Sequence, residues 1–133
     1  FPEHMTYHGS VQNYYNAKKN IFKFQNKGDI ALRPPFNVKL PFKESEIKLL
    51  GEHNIENIKV AVKVTRILGV SDQNIRKTVS DFKGLPHRLE YVGESKGIKF
   101  YDDAISTAPE STIEAIKALT GKDRSFLGGE GRG

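Results

Sequence analysis

The chain has 133 residues, 37% of them hydrophobic and 28% charged, which suits one ordinary domain or parts of two rather than a disordered polymer. It has no cysteine, so disulfides and thiolate metal sites are excluded. No apolar run approaches the roughly 18 residues of a membrane span, and Phe1-Pro2-Glu3-His4 does not read as a signal peptide. The net charge of +5 favours anionic partners such as nucleotides or phosphates, and equally fits an ordinary soluble surface. The basic residues are scattered, which argues against a nucleic-acid partner.

Ser10 is a suitable N-cap for a helix running to about Phe22, with Val11, Tyr14, Lys18 and Ile21 on one face. Asp29 to Leu32 reads as a short strand ended by Arg33-Pro34-Pro35, and residues 36–50 alternate weakly, as strands do. The clearest helix is Asn54 to Leu68, with Ile58, Ala61, Val62, Thr65 and Leu68 inward and Gly69 as its stop. Ser71 caps a further helix that turns Ile75, Val79 and Phe82 inward. Lys83-Gly84-Leu85-Pro86 interrupts the pattern and is the expected domain boundary. The period then becomes two. Leu89 to Gly93 and Ile98 to Asp102 predict a hairpin around Glu94-Ser95-Lys96-Gly97. Thr107-Ala108-Pro109-Glu110 has the spacing of a capping box, and Ile113, Ile116 and Leu119 give the helix its stripe. Ser125-Phe126-Leu127 reads as a buried strand before a glycine turn. The order of strand, helix, strand and glycine turn is that of an α/β nucleotide-binding sheet. Both ends read as cut, so a piece of a longer chain is expected.

Several residues could carry chemistry. Lys18 shares a face with apolar residues, where a bare ammonium would be costly to desolvate. It can snorkel to solvent, or add carbon dioxide and become a carbamate able to hold Mg²⁺ through oxygen. His4 and His8 precede this helix and serve as packing groups or as metal ligands. Asn54 is placed as an N-cap, and Asn57 lies one turn further in, where an amide can read a purine edge. Arg88, beside His87 at the expected boundary, suits phosphate contacts and equally a salt bridge. Asp102 and Asp103 end a strand, where α/β sheets place their sites. Gly128 to Gly133 allow close approach of backbone to an anion. A G-x-x-x-x-G-K-[ST] phosphate loop is absent, because Gly121-Lys122 is followed by Asp123 and Ile116 stands where the first glycine belongs.

Taken in order, these segments resemble one family. His4-Met5, Tyr7-His8-Gly9-Ser10, Tyr14, Ala17-Lys18 and Ile21-Phe22 form the first group. Gly51-Glu52-His53-Asn54-Ile55-Glu56-Asn57 fits the pattern G-x-H-N-x-x-N, and Phe82 to Glu90 contains Gly84-Leu85-Pro86-His87-Arg88. Tyr101 to Thr107 is followed by Pro109-Glu110-Ser111-Thr112, and Phe126-Leu127-Gly128-Gly129 by Arg132-Gly133. The whole is similar to the Mur ligases, ATP-dependent amino-acid ligases of bacterial cell-wall synthesis, and to their D-glutamate-adding branch in particular.

The resemblance implies an α/β fold. Residues 1–83 would be the late part of a central P-loop-type ATPase domain, and 84–133 the start of a Rossmann-like C-terminal domain. It implies ATP and Mg²⁺ as cofactors, with His4 and a carbamylated Lys18 at the metal. Asn54 and Asn57 would lie near the adenine, Arg88 and Asp103 against the nucleotide, and Thr107 and Arg132 near the incoming D-glutamate. The implied reaction joins D-glutamate to UDP-N-acetylmuramoyl-L-alanine through an acyl phosphate, in a cytoplasmic and monomeric whole enzyme. The family pattern is not complete. Ile105 stands where some relatives have lysine, and the stretch between Asp29 and Leu49 is shorter than theirs. A sibling ligase such as a folylpolyglutamate synthase, or a non-catalytic nucleotide-binding module, are the other readings.

Overall fold

A computed structural model describes residues 4–119 and 125–128. It divides into two compact units, Phe1–Pro35 and Phe36–Gly133.

The first unit holds α1 (Met5–His8) and α2 (Val11–Lys23). Gly9, with φ of 67°, ends the first helix. Ser10 then stands extended and its Oγ accepts a hydrogen bond of 3.1 Å from the Asn13 N–H, the expected N-cap. Tyr14 is the buried residue of α2, with the His8 and Tyr15 rings edge-on to it. Val11 and Ile21, expected on the same inward face, are exposed. The strand expected at Asp29–Leu32 does not form. Instead Asp29 Oδ2 accepts from the Asn26 N–H at 2.6 Å and closes a turn, and the Arg33 guanidinium lies 4.2 Å from the centre of the Phe22 ring.

In the second unit, residues 36–50 form an irregular strap with a short 3-10 turn at Glu44–Glu46, and no strand. It is followed by α3 (Glu52–Ile67) and α4 (Asp72–Asp81). The helix α3 begins two residues before the expected Asn54, with Gly51 as its N-cap. Its C-terminus is as expected, Leu68 followed by left-handed Gly69 with φ of 79°. Ser71 caps α4 by accepting from the Asn74 N–H. Ile58, Val62 and Ile75 are the buried centre, and Val38, Leu40, Phe42, Ile47, Leu49 and Val79 pack around it. The alternating apolar residues of the strap therefore cover the helix pair instead of entering a sheet. Leu68, at 74% exposure, does not share the inward face expected of it.

The chain then enters β1 (Glu90–Ser95), β2 (Ile98–Asp102) and α5 (Pro109–Ala118). Among the described residues these strands form one two-stranded antiparallel sheet, so the architecture is mixed helix and small sheet. The expected capping box at Thr107 is not formed. Proline without an N–H fits the first helical position, so Pro109 makes Ala108 the N-cap and leaves Thr107 one residue outside. Residues 125–128 are not a strand, and Phe126 and Leu127 are exposed there rather than buried.

Val62 is the most enclosed side chain, at 1% exposure. Val62→Ala is expected to cost about 2 kcal/mol in urea unfolding through lost burial and the cavity left behind. Leu68→Ala on the same helix is expected to change stability by less than about 0.5 kcal/mol. Equal effects of the two would contradict this placement of the core.

Candidate functional site

The hairpin sets up the most highly connected polar cluster of the second unit. Lys96 and Gly97, with φ of 52° and 77°, form a tight turn that pairs Ser95 with Ile98. A one-residue irregularity between Tyr91 and Gly93 then shifts the register, so that Tyr91 faces Tyr101 and Glu90 faces Asp102. The tyrosine rings meet at 5.6 Å. The two carboxylates directly opposite each other repel.

The turn before β1 answers that repulsion. His87 Nδ1 lies 2.8 Å from Asp102 Oδ2, and the His87 N–H donates to Glu90 Oε2 at 2.9 Å. The Ala104 N–H donates to Asp102 Oδ1 at 2.9 Å, and the Ile105 N–H to the His87 carbonyl at 3.1 Å. Asp103 is held too, accepting from the Leu89 N–H at 2.9 Å and from the Ser106 hydroxyl. The hydrogen bond to Asp102, then its charge, raises the His87 pKa above the ordinary imidazole value. The same bond, then that from Ala104, lowers the Asp102 pKa. The pair therefore stabilises the fold fully between the ordinary carboxylate and the ordinary imidazole values. It weakens as pH rises through the raised His87 pKa or falls through the depressed Asp102 pKa.

Arg88 sits between His87 and Leu89. Its N–H donates to the Leu85 carbonyl at 3.2 Å, its side chain is exposed, and no acid pairs with it among the described residues. The salt bridge that the sequence left open is thus not made there. Thr107 is exposed at the end of the same loop, and Ile105 is half exposed.

The expected asparagines lie on α3. Asn54 is the third helical residue rather than the N-cap, and its Nδ2 donates back to the Leu50 carbonyl at 2.8 Å. It is buried, whereas Asn57, one turn on, is exposed and open to a ligand. Gly51, with φ of 91°, is required at the N-cap. A Cβ on it would meet His53 Nδ1 at 2.8 Å and the Ala118 methyl of α5 at 2.9 Å. His53 Nδ1 is itself buried with no hydrogen-bond partner among the described residues, an orphan that costs free energy unless something bonds to it. The sequence marked His53 only as part of its motif, and the pairing of His87 with Asp102 was not anticipated. A shallow groove of about 370 Å³ beside Lys39, Lys63 and Arg66 contains none of the expected site residues.

In the first unit, His4 has a left-handed backbone, with φ of 57°, and is exposed. Lys18 is also exposed, with its ammonium 4.8 Å from the centre of the Tyr14 ring. The desolvation expected for Lys18 is absent, because Tyr14 is the buried member of that face. An unmodified Lys18 is a cation that repels Mg²⁺, and His4 offers a single nitrogen, so these two residues as they stand do not make a Mg²⁺ site. Among the described residues, the trio of His and acid groups close enough to share a cation is His87, Glu90 and Asp102, with ligand atoms within 4.8 Å of one another. Arg132 lies outside the described residues.

No protein-family model matches the chain. Curated relatives do. It is 31% identical over 170 residues to a protein of Oceanobacillus iheyensis, covering 100% of this chain and 38% of that one. It is 32% identical over 174 residues to one of Acidobacterium capsulatum, covering 97% and 37%. It is 34% identical over 172 residues to one of Streptococcus mutans, covering 99% and 38%. All three are named UDP-N-acetylmuramoylalanine–D-glutamate ligase. Along nearly its whole length the chain is similar to ligases of this one name. It spans a little over a third of the length of these ligases. The match to the Oceanobacillus ligase runs over 170 positions against 133 residues in this chain, so this chain is shorter than that ligase over the shared stretch. No helix among the described residues is long and apolar enough to cross a membrane.

Removing the Asp102 charge should release His87. In Asp102→Asn the imidazole is expected to titrate lower than in the parent chain, as followed by proton NMR of its ring. An unmoved titration would mean that the pair is not formed in solution.

Proposed function

We propose that this chain is part of a ligase that joins D-glutamate to UDP-N-acetylmuramoyl-L-alanine in peptidoglycan synthesis, using ATP. The observation that carries this reading is the match along nearly the whole chain to proteins of that one name. In this reading residues 1–83 close a P-loop-type ATPase domain and residues 84–133 open a Rossmann-like one. The phosphate loop that this chain lacks lies in another part of the enzyme. ATP phosphorylates the substrate carboxylate, the D-glutamate amine displaces phosphate from the acyl phosphate, and an amide, ADP and phosphate result.

The residues divide the work by chemistry. Asn57 offers an exposed amide to the adenine. Arg88, exposed and without an acid partner among the described residues, is suited to phosphate oxygens. Asp103 shapes the loop, and each of its oxygens keeps a second lone pair for the nucleotide. Buried Asn54 holds the start of α3 through its bond to the Leu50 carbonyl, one turn before Asn57. Thr107 and Arg132 serve the D-glutamate, Arg132 through its carboxylates. Mg²⁺ neutralises phosphate charge when bound. His4 and Lys18 contribute to it only once Lys18 is carbamylated and further ligands come from elsewhere in the enzyme.

Titration of the ¹⁵N-labelled chain with ATP at millimolar concentration tests the nucleotide site. Shifts are expected at Asn57, Arg88 and Asp103 and should be lost in Asn57→Ala. Shifts confined to other residues would refute the assignment. The 133-residue chain alone is expected to release no ADP when supplied with both substrates. Turnover above the blank would show that it needs no other part of the enzyme.

A further inference from the structure

Three consecutive residues before β1 are held in an unusual way. His87 and Leu89 have φ of 60° and 47°, the left-handed region that is sterically unfavourable for a residue with a side chain. Such a backbone persists only where its surroundings fix it. His87 is fixed at three atoms, its N–H to Glu90, its Nδ1 to Asp102 and its carbonyl to the Ile105 N–H. Leu89 is fixed at its N–H by Asp103. Arg88, between them, has its side chain in solvent and no acid partner among the described residues.

We propose that His87 is a positioning residue, whose imidazole, set against the opposed Glu90 and Asp102 carboxylates, locks the left-handed turn and so presents Arg88 to the phosphates of a nucleotide. The proposal rests on the reading that Arg88 contacts the nucleotide, and it adds the group that holds Arg88 in place. Locking the backbone on both sides leaves only the arginine side chain to be ordered on binding, which lowers the entropic cost of each phosphate contact. The charged groups around His87 are Asp102 and Glu90 on the strands and Arg88 next to it in the chain. Of these, Asp102 bonds the ring.

Asparagine provides the discriminating variant. It tolerates the left-handed region better than most residues, and its Nδ2 can occupy the place of the imidazole Nδ1, so His87→Asn keeps the donor to Asp102. His87→Ala removes it. Hydrogen exchange at the Leu89 and Ile105 amides, measured without ligand, reports the lock, and NMR titration of the intact chain with ATP reports presentation of Arg88. In His87→Ala both amides are expected to exchange about tenfold faster and ATP to bind about tenfold more weakly. His87→Asn should restore both to near the parent values. Unchanged exchange in His87→Ala, or failure of asparagine to rescue, would overturn the positioning role alone. If Arg88→Ala binds ATP as the parent does, the nucleotide reading of Arg88 falls, and the positioning role of His87 falls with it.

Discussion

The second unit turns on a like-charge confrontation. Glu90 and Asp102 face each other across the hairpin, an arrangement that on its own opposes pairing of the strand ends. The structure relieves it with a third group from outside the strands, since His87 bonds both carboxylates through its ring and its backbone. Everything around the base of the hairpin follows from that relief. The turn must come back over the strands, its residues must accept left-handed geometry, and Asp103 and Ile105 are drawn into the same network. A purely apolar strand end would have been simpler to build but would have left Arg88 on an unanchored loop.

The helix pair supplies the rigid ground for this device. Val62, Ile58 and Ile75 form a small dry centre, and the start of α3 is tied to α5 through a contact that tolerates only glycine at position 51. The buried Asn54 and the orphaned His53 Nδ1 stand at that junction. Polar groups enclosed at a helix start are costly unless bonded. Asn54 finds the Leu50 carbonyl, while His53 Nδ1 has no hydrogen-bond partner among the described residues, at the same helix start and one turn before the exposed Asn57.

Local signals in the sequence translated well, and non-local ones did not. The caps at Ser10 and Ser71 and the stop at Gly69 are decided within a few residues of chain, and each stands where the pattern put it. Thr107 failed as a cap because Pro109 fixed the first helical position instead. The alternation at 36–50 correctly marked apolar residues facing one way. Period alone does not say whether an extended segment meets a strand or a pair of helices, and in this fold it meets helices. Lys18 lies on the predicted face, yet only Tyr14 of that face is covered. The bulge near Val92 left no trace in the pattern, so the opposition of Glu90 and Asp102, and with it the role of His87, could not be read in advance.

The strap of residues 36–50 closes the core with side chains while using its backbone hydrogen bonds mostly on its own tight turns. A hydrogen bond from the Arg66 guanidinium to the Lys39 carbonyl links it to α3. A sheet strand of the same length would be bound to a register, and losing or gaining residues there would turn its apolar face outward. An unregistered cover carries no such penalty. It can be lengthened or trimmed between its apolar anchors while the helices beneath stay packed, which makes this part of the chain permissive to insertion and deletion in evolution.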